Sequence, residues 1–514
     1  MRSFEIILLL VVLATVVAAS ARWLRVPAPS LLVVAGLAVA LIPGVPPVEV
    51  APNVVSFVVL PPLLYAAGQD LPWQELKPVW RPVTVLALGL VVTSAAAVGV
   101  VAVAVTPLSV SMAFVLGTVL ASTDPVAVTA LGRRLPLPGR LQALIQAESL
   151  FNDATSLVLF RVAATIAVAG GTGGTVPWTR AGLDFLLAAG GGAGVGVVVA
   201  AGVALIRRRT EDPVLETVTA LITPYAGYIL AEAVHVSGVT AVVVASVVLA
   251  GQGIRLSSAQ IRLQLHAVYD TVVFLLESVV FSLVGLELPT LVRAVDGSRW
   301  SWVPQALAIT LTLLAVRALW VFPLTLVIQW RQGGRPSWRV PAVVSWAGAR
   351  GVLPLAAALS IPLTTSAGTP LENRDLVLLL TTAVIAITLV VQGFTLGPLV
   401  RRSGVALPPG HARSEQDRAQ AAMTDAALSY LDEVAGLGAA AEPVIAQLRE
   451  LTRSRHEPDD DESPLGPQLR QLRRDVIAVE ASVLNQLYAD GAIGGRTRRH
   501  LQRRLDLEEA SLEE

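Results

Sequence analysis

Two otherwise apolar stretches of the sequence carry acidic side chains. Asp124 lies in ASTDPVAV, and Glu148 and Asp153 lie in AESLFNDATSLVLF. An ionisable side chain near the centre of a bilayer costs about 2.5 kcal/mol or more, so such residues usually face water or a partner. The three carboxylates therefore predict a path for an ion or a proton.

The backbone around Asp124 is expected to leave the helical path. Pro125 follows directly, and proline removes one helical hydrogen bond and disfavours helical geometry at the residue before it. Unwound backbone at membrane depth needs protein or water to satisfy it, and its freed carbonyls can coordinate a cation. We predict an interrupted helix at residues 122–125.

The second stretch carries oxygen atoms at helical spacing. A period of 3.6 residues puts Ser149, Asp153 and Ser156 on one stripe and Glu148 and Asn152 on a neighbouring stripe. Hydroxyl, carbonyl and carboxylate oxygens suit hard cations. The chain has no cysteine, and no histidine lies near this stretch, so a soft-metal site is not expected.

Composition indicates a membrane protein. Of 514 residues, 54% are hydrophobic and 15% are charged, with a mean hydropathy of +0.66. The net charge is zero, which gives no indication of nucleic-acid binding. We predict an all-α polytopic protein with about thirteen spans. The apolar segments are 4–22, 28–42, 50–68, 82–105, 110–131, 141–168, 181–206, 213–232, 236–252, 264–288, 300–330, 340–362 and 375–400.

Lysine and arginine concentrate in alternate loops between these segments. Basic residues are retained on the cytoplasmic side of short loops, so the pattern places the N-terminus outside the cell. We predict a transmembrane domain over 1–402 and a cytoplasmic tail of amphipathic helices over 403–514. The tail is either a plain soluble appendage or a module for regulation or dimerisation.

Arg350 lies deep in the sequence SWAGARGVLP, among glycines and before Pro354. This composition predicts a second interrupted helix, which would cross the first if the chain contains an inverted repeat, the usual plan of secondary transporters. A buried guanidinium needs a carboxylate partner, and Glu148 is the best candidate. Glu277 and Arg317 belong either to the ion path or to structural ion pairs.

Six successive motifs resemble the signatures of the monovalent cation:proton antiporter family, in its electroneutral sodium/proton exchanger branch of the prokaryotic type. The resemblance covers about residues 1–400. The motifs are LPPLL (60–64), TDPVAV (123–128), ESLFND (148–153), HVSGVTA (235–241), ESVVFSLVG (277–285) and GARG (348–351).

The resemblance implies roles for single residues. Asp153 would bind the transported cation and the proton in turn. Asp124, the backbone of Thr123 and Ser149 would complete the Na⁺ site, and Asn152 would stand where electrogenic relatives carry a second aspartate. Because the Asn152–Asp153 pair then offers one titratable carboxylate, we expect electroneutral exchange of one cation for one proton.

The resemblance also implies that Glu148 and Arg350 form a structural brace, and that the protein is a homodimer of the cell membrane. Its role would lie in pH and sodium homeostasis, without a cofactor besides the transported ions. One departure is clear: many relatives carry an acidic residue after the Leu-Pro-Pro motif, where this chain has Ala66 and Ala67. Any function of that residue is absent here or moved, for example to Asp70.

Two other classes of protein are alternatives. A sodium-coupled solute symporter shares the inverted-repeat plan, but would need a larger polar pocket than Asp124, Asn152 and Asp153 provide. An intramembrane aspartyl protease could use Asp270, but the sequence lacks the Gly-x-Gly-Asp pattern that such enzymes carry on a second helix. The sequence alone does not separate Na⁺ from K⁺ or Li⁺, because selectivity depends on ligand distances.

Overall fold

The computed structural model describes residues 11–17, 19–21, 23, 27–42, 55–71, 73–124, 138–169, 178–210, 212–251, 258–295, 301–331, 337–365, 369–406, 410–453 and 467–512. Over these residues the secondary structure is helical, apart from an isolated bridge between Thr364 and Pro370. The predicted all-α fold is confirmed.

In chain order, the described helices are α1 (Val11–Ala21), α2 (Ala28–Ala40), α3 (Leu60–Gln69), α4 (Trp73–Leu76), α5 (Trp80–Thr84), α6 (Val91–Val105), α7 (Val110–Leu120), α8 (Gly139–Ala169), α9 (Trp178–Arg207), α10 (Pro213–Ala233), α11 (Gly238–Ala250), α12 (Ala259–Ala294), α13 (Trp302–Arg331), α14 (Arg339–Trp346), α15 (Val352–Leu359), α16 (Arg374–Ser403), α17 (His411–Gly436), α18 (Glu442–Arg453), α19 (Pro467–Ala489) and α20 (Gly495–Ser511). Two π-helical segments, Val55–Val59 and Val85–Leu90, lead into α3 and join α5 to α6.

Seven helical stretches among the described residues are long and apolar enough to cross a membrane. They are Trp80–Val105, Gly139–Val168, Gly182–Arg207, Pro213–Ala233, Ala259–Ala294, Trp302–Trp330 and Arg374–Ser403. Shorter apolar helices cover α1, α2, Phe57–Gln69, α7 and α11. These stretches coincide with predicted segments, while the total of about thirteen spans stays a prediction.

The second predicted interruption is visible, and the helix before the first one ends where the break was predicted. Helix α7 ends at Leu120, and residues 122–124 are not helical; Pro125 lies outside the described residues. The second interruption separates the end of α14 at Trp346 from the start of α15 at Val352. Pro354 fits there because it lies in the first turn of α15, where backbone N–H groups have no helical partner.

Glycines let the helices of the larger unit approach closely. A Cβ atom on Gly36 of α2 would overlap the carbonyl of Ser282 in α12, and one on Gly285 would overlap Val33. A Cβ on Gly117 would overlap the Ala95 carbonyl, where α7 packs against α6. Such small-residue contacts are typical of helix packing in membranes.

The chain forms two compact units. The larger comprises Met1–Arg209, Val218–Gly253 and Tyr269–Ala406, and the smaller comprises Thr210–Thr217, Ile254–Val268 and Leu407–Glu514. In the smaller unit, α17 to α20 enclose two apolar clusters, one around Leu484 and Leu501 and one around Leu431 and Leu448. The predicted domain boundary between 402 and 403 stays a prediction.

Candidate ion-binding site

The polar stripe of α8 holds the unwound backbone that follows α7. Ser149 Oγ donates to the Thr123 carbonyl at 2.5 Å. The Asn152 amide donates to Thr123 Oγ1 at 2.6 Å and accepts from the Thr123 N–H at 3.3 Å. One turn further along, Ser156 Oγ donates to the Thr118 carbonyl at 2.6 Å. The side chains of α8 therefore satisfy backbone groups that the helix interruption frees.

Asp153 lies at the centre of this stripe and is only 7% exposed. Its carboxylate forms a hydrogen bond with the Ser122 side chain. The charged groups near it are Asp124, Arg350 and Glu148. A buried carboxylate is stable only when a partner, a proton or a cation offsets its charge. The Asp153 carboxylate can therefore accept either a proton or a cation.

The two interrupted helices meet at this place. The N–H of Asp124 donates to the Ala349 carbonyl at 2.7 Å. In the other direction, Arg350 Nη1 donates to the carbonyls of Ala121 at 2.8 Å and Ser122 at 2.5 Å. The guanidinium thus satisfies the carbonyls at the C-terminal end of α7, where a helix has orphan acceptors and partial negative charge.

Two glycines make this close approach possible. A Cβ atom on Gly351 would overlap the carboxylate of Asp124, and a Cβ on Gly348 would lie against the guanidinium of Arg317. The glycines of the GARG motif therefore leave room for one acidic and one basic side chain. Their role is close packing, because neither has a positive φ.

The predicted partner of Glu148 was wrong. Glu148 binds Arg317 of α13, not Arg350, through two hydrogen bonds of 2.5 and 2.9 Å, and the two side chains are 1% and 2% exposed. Arg317 Nε also donates to the Val344 carbonyl at 3.2 Å. Arg350 does not form the pair because its guanidinium is directed to the end of α7.

The other candidate residues lie in different surroundings. Glu277 is partly buried in α12, and its assignment to the ion path or to a structural pair stays a prediction. Asp70 follows the last residue of α3 and is exposed.

Thr388 of α16 was not predicted to take part in the site. Its hydroxyl accepts a hydrogen bond from the Arg350 N–H at 3.2 Å. Its only sequence signal was a hydroxyl within a strongly apolar segment.

The fold and the site together define a class of protein. A buried carboxylate at the crossing of two interrupted helices, within a bundle of apolar spans, is the arrangement of ion-coupled secondary transporters. The arrangement is therefore that of a multi-pass membrane transporter.

Comparison with known sequences then identifies the family. The sequence model of the transmembrane sodium/hydrogen exchanger family matches residues 8–402. An uncharacterized Na⁺/H⁺ exchanger of Mycobacterium tuberculosis is 33% identical over 506 residues, which cover 95% of this chain and 92% of the relative. The chain belongs to the sodium/hydrogen exchanger family, so the predicted family and cation:proton antiport are confirmed and the symporter alternative is excluded.

Two further similarities are informative. The sodium, potassium, lithium and rubidium/H⁺ antiporter of Bacillus subtilis is 31% identical over 412 residues, or 75% of this chain and 60% of that protein. The sodium proton antiporter MjNhaP1 of Methanocaldococcus jannaschii has a similar fold, with a TM-score of 0.63 and 20% identity over 78% of this chain and 98% of that one.

Proposed function

We propose that the protein exchanges a monovalent cation, Na⁺ in the first place, for H⁺ by alternating access, with both ions competing for Asp153. The observation that carries this proposal is the position of Asp153, which is 7% exposed beside the two facing helix breaks. Because the buried carboxylate requires neutralisation, it holds either a proton or a cation. Competition for one group couples the two fluxes.

The neighbouring residues have separate roles in this mechanism. Asp124, Ser149 and the backbone of Thr123 supply oxygen atoms for a hard cation. The Asn152 amide is bonded on both sides to Thr123, so its role is to position that backbone. Rocking of one helix bundle would expose Asp153 to each side of the membrane in turn.

The ion pair of Glu148 and Arg317 acts as a brace in the proposal. It joins α8, which carries Asp153, to α13, and through the Val344 carbonyl to α14. The site helix and the first half of the second interrupted helix are therefore held as one body. We propose a structural role for Arg317 and not a place in the ion path.

The setting of the protein follows from the same proposal. We propose a homodimer in the cell membrane, with the N-terminus outside and residues 403–514 in the cytoplasm, serving pH and sodium homeostasis. The charge pattern of the loops supports this orientation. One relative is named as a Na⁺/H⁺ exchanger and another as an antiporter of sodium, potassium, lithium and rubidium. The cation preference of this protein must therefore be measured.

Transport is expected to be electroneutral, one cation for one proton. Asp153 would cross either protonated or with a bound cation, and Asp124 would stay ionised as a fixed charge, so the net charge of the site is the same in both states. Purified protein in liposomes, with a pH-sensitive dye inside, should exchange Na⁺ at the same rate at zero and at negative potential.

The same preparation tests the proposed function as a whole. Li⁺ and K⁺ would replace Na⁺ in parallel runs, and empty liposomes give the background. A potential of 100 mV is worth ~2.3 kcal/mol per charge, so net charge movement would change the rate visibly. A rate that depends on the imposed potential would contradict the one-to-one count, and no cation-dependent proton flux would contradict the exchange itself.

The tail is proposed to modulate exchange through a contact within the smaller unit. Arg262, at the start of α12, donates from Nε to Asp506 of α20 at 3.2 Å and forms a second hydrogen bond to the same carboxylate. Glu509 lies 3.6 Å from the same guanidinium. Since α12 continues into a predicted span, this contact can transmit the state of the tail to the transport domain.

A chain truncated after Ser403 should keep exchange but change its rate or pH dependence, because every proposed ligand precedes that point. Arg262→Ala should change the rate in the same direction, because it removes the contact between α12 and α20. Both are measured in liposomes. The control is Asp432→Ala, which removes an exposed pair with Arg449 in the same unit. Complete loss of exchange in a well-inserted truncation would contradict the modulatory role.

A further inference from the structure

Gln392 of α16 is a buried amide without a partner. Its side chain is 2% exposed, and among the described residues neither Oε1 nor Nε2 has a hydrogen-bond partner. The amide could donate two hydrogen bonds and accept two. A buried polar group left unpaired costs roughly 1–3 kcal/mol, so the residue is unfavourable in this conformation.

Two contacts show what lies beside Gln392. The Arg350 N–H is bonded to Thr388 Oγ1 at 3.2 Å, and Trp346 Nε1 is bonded to Thr395 Oγ1 at 2.8 Å. These two contacts bracket the non-helical residues 347–349 on one side and residues 389–394 of α16 on the other. Gln392 carries the only polar side chain in LVVQGF, the sequence of residues 389–394.

Gln392 lies on the protein-facing side of α16. Its neighbours Val391 and Phe394 are 46% and 43% exposed, so they mark the opposite side. Thr388 lies one turn before Gln392 and contacts Arg350, and Leu396 lies one turn after it and packs in the cluster that contains Val344. The amide is therefore on the stripe of α16 that faces the second interrupted helix.

Other polar atoms at the second interruption are also unpartnered in this conformation. Within the described residues, Ser345 Oγ and Arg350 Nε are buried without a hydrogen bond. Unpaired polar groups therefore occur both on this stripe of α16 and in the second interrupted helix that it faces.

We propose that Gln392 is a positioning residue of the exchange reaction, whose amide binds the groups freed at residues 345–350 when the second interrupted helix moves. The amide is unpaired in the conformation described and paired in another state of the cycle. Pairing then favours the movement that alternating access requires. This inference rests on the proposed exchange, because its main readout is the exchange rate.

The test is Gln392→Met, which keeps the length of the side chain and removes the amide. We expect the melting temperature of the purified protein to stay the same or to rise, because an unpaired amide is removed. We expect the maximal exchange rate to fall about tenfold, the effect of losing roughly two hydrogen bonds, while the apparent KM for Na⁺ stays unchanged. Gln392→Asn, which retains an amide, should recover part of the rate.

Thr381→Val is the matched control. Thr381 is fully buried in the same helix and its hydroxyl is also unpartnered, but it precedes the stretch beside the break. It should leave the exchange rate unchanged, with a melting temperature that stays the same or rises. A lower melting temperature of Gln392→Met, or an unchanged rate, would overturn the proposal. Failure of the exchange proposal is distinguishable, because the unmodified chain would then show no exchange in the same assay.

Discussion

Asp153→Asn should reduce cation-dependent proton exchange to background while the protein still inserts and folds. Asp153 is the only titratable side chain on the stripe that it shares with Ser149 and Ser156. Asparagine keeps the shape of the side chain and removes both the proton site and the negative charge. A neutral amide at this buried place has no charge to leave unpaired, so we expect no loss of stability.

The measurement uses liposomes with matched amounts of folded protein, judged by size-exclusion chromatography. Asp184→Asn, which changes an exposed carboxylate of α9, is the control and should exchange normally. Asp124→Asn should be nearly as damaging as Asp153→Asn, because it removes the fixed negative charge beside the break. Normal exchange by Asp153→Asn would exclude Asp153 as the shared site.

The sequence predicted those features that depend on local composition. Glycines around Arg350 and a proline after it indicated an interrupted helix, and the structure separates α14 from α15 there. Helical spacing also placed Ser149 and Asn152 with Asp153 on the surface that binds the unwound backbone. Both predictions succeeded because backbone geometry and helical period are properties of neighbouring residues.

The sequence failed where the outcome depends on contacts between distant residues. Glu148 was predicted to pair with Arg350, but it binds Arg317, which is 169 residues away along the chain. The choice depends on how α13 and α8 pack and on the attraction of Arg350 to the carbonyls at the end of α7. Gln392 was missed because a single amide in an apolar segment has no periodic pattern.

Breaking the pair of Glu148 and Arg317 should cause the largest loss of stability among the changes considered. Both side chains are almost fully buried, and removing one partner of such a pair strands a buried charge at a cost of roughly 3–5 kcal/mol. Arg317→Met should therefore lower the yield of folded protein and the melting temperature strongly. Asp153 and Asp124 are unchanged, so the protein that does fold should bind Na⁺ with little change in apparent affinity.

The double variant Glu148→Leu with Arg317→Met should recover much of this stability, because apolar side chains of similar volume can replace a buried ion pair with little net cost. Recovery should be incomplete, since the Val344 carbonyl also loses the hydrogen bond from Arg317. The control combines Glu148→Leu with Arg350→Met. Arg350 binds the carbonyls of Ala121 and Ser122. Removing Glu148 should therefore not restore the stability that Arg350→Met loses. If the rescue appeared with Arg350 and not with Arg317, the brace assigned from the structure would be wrong.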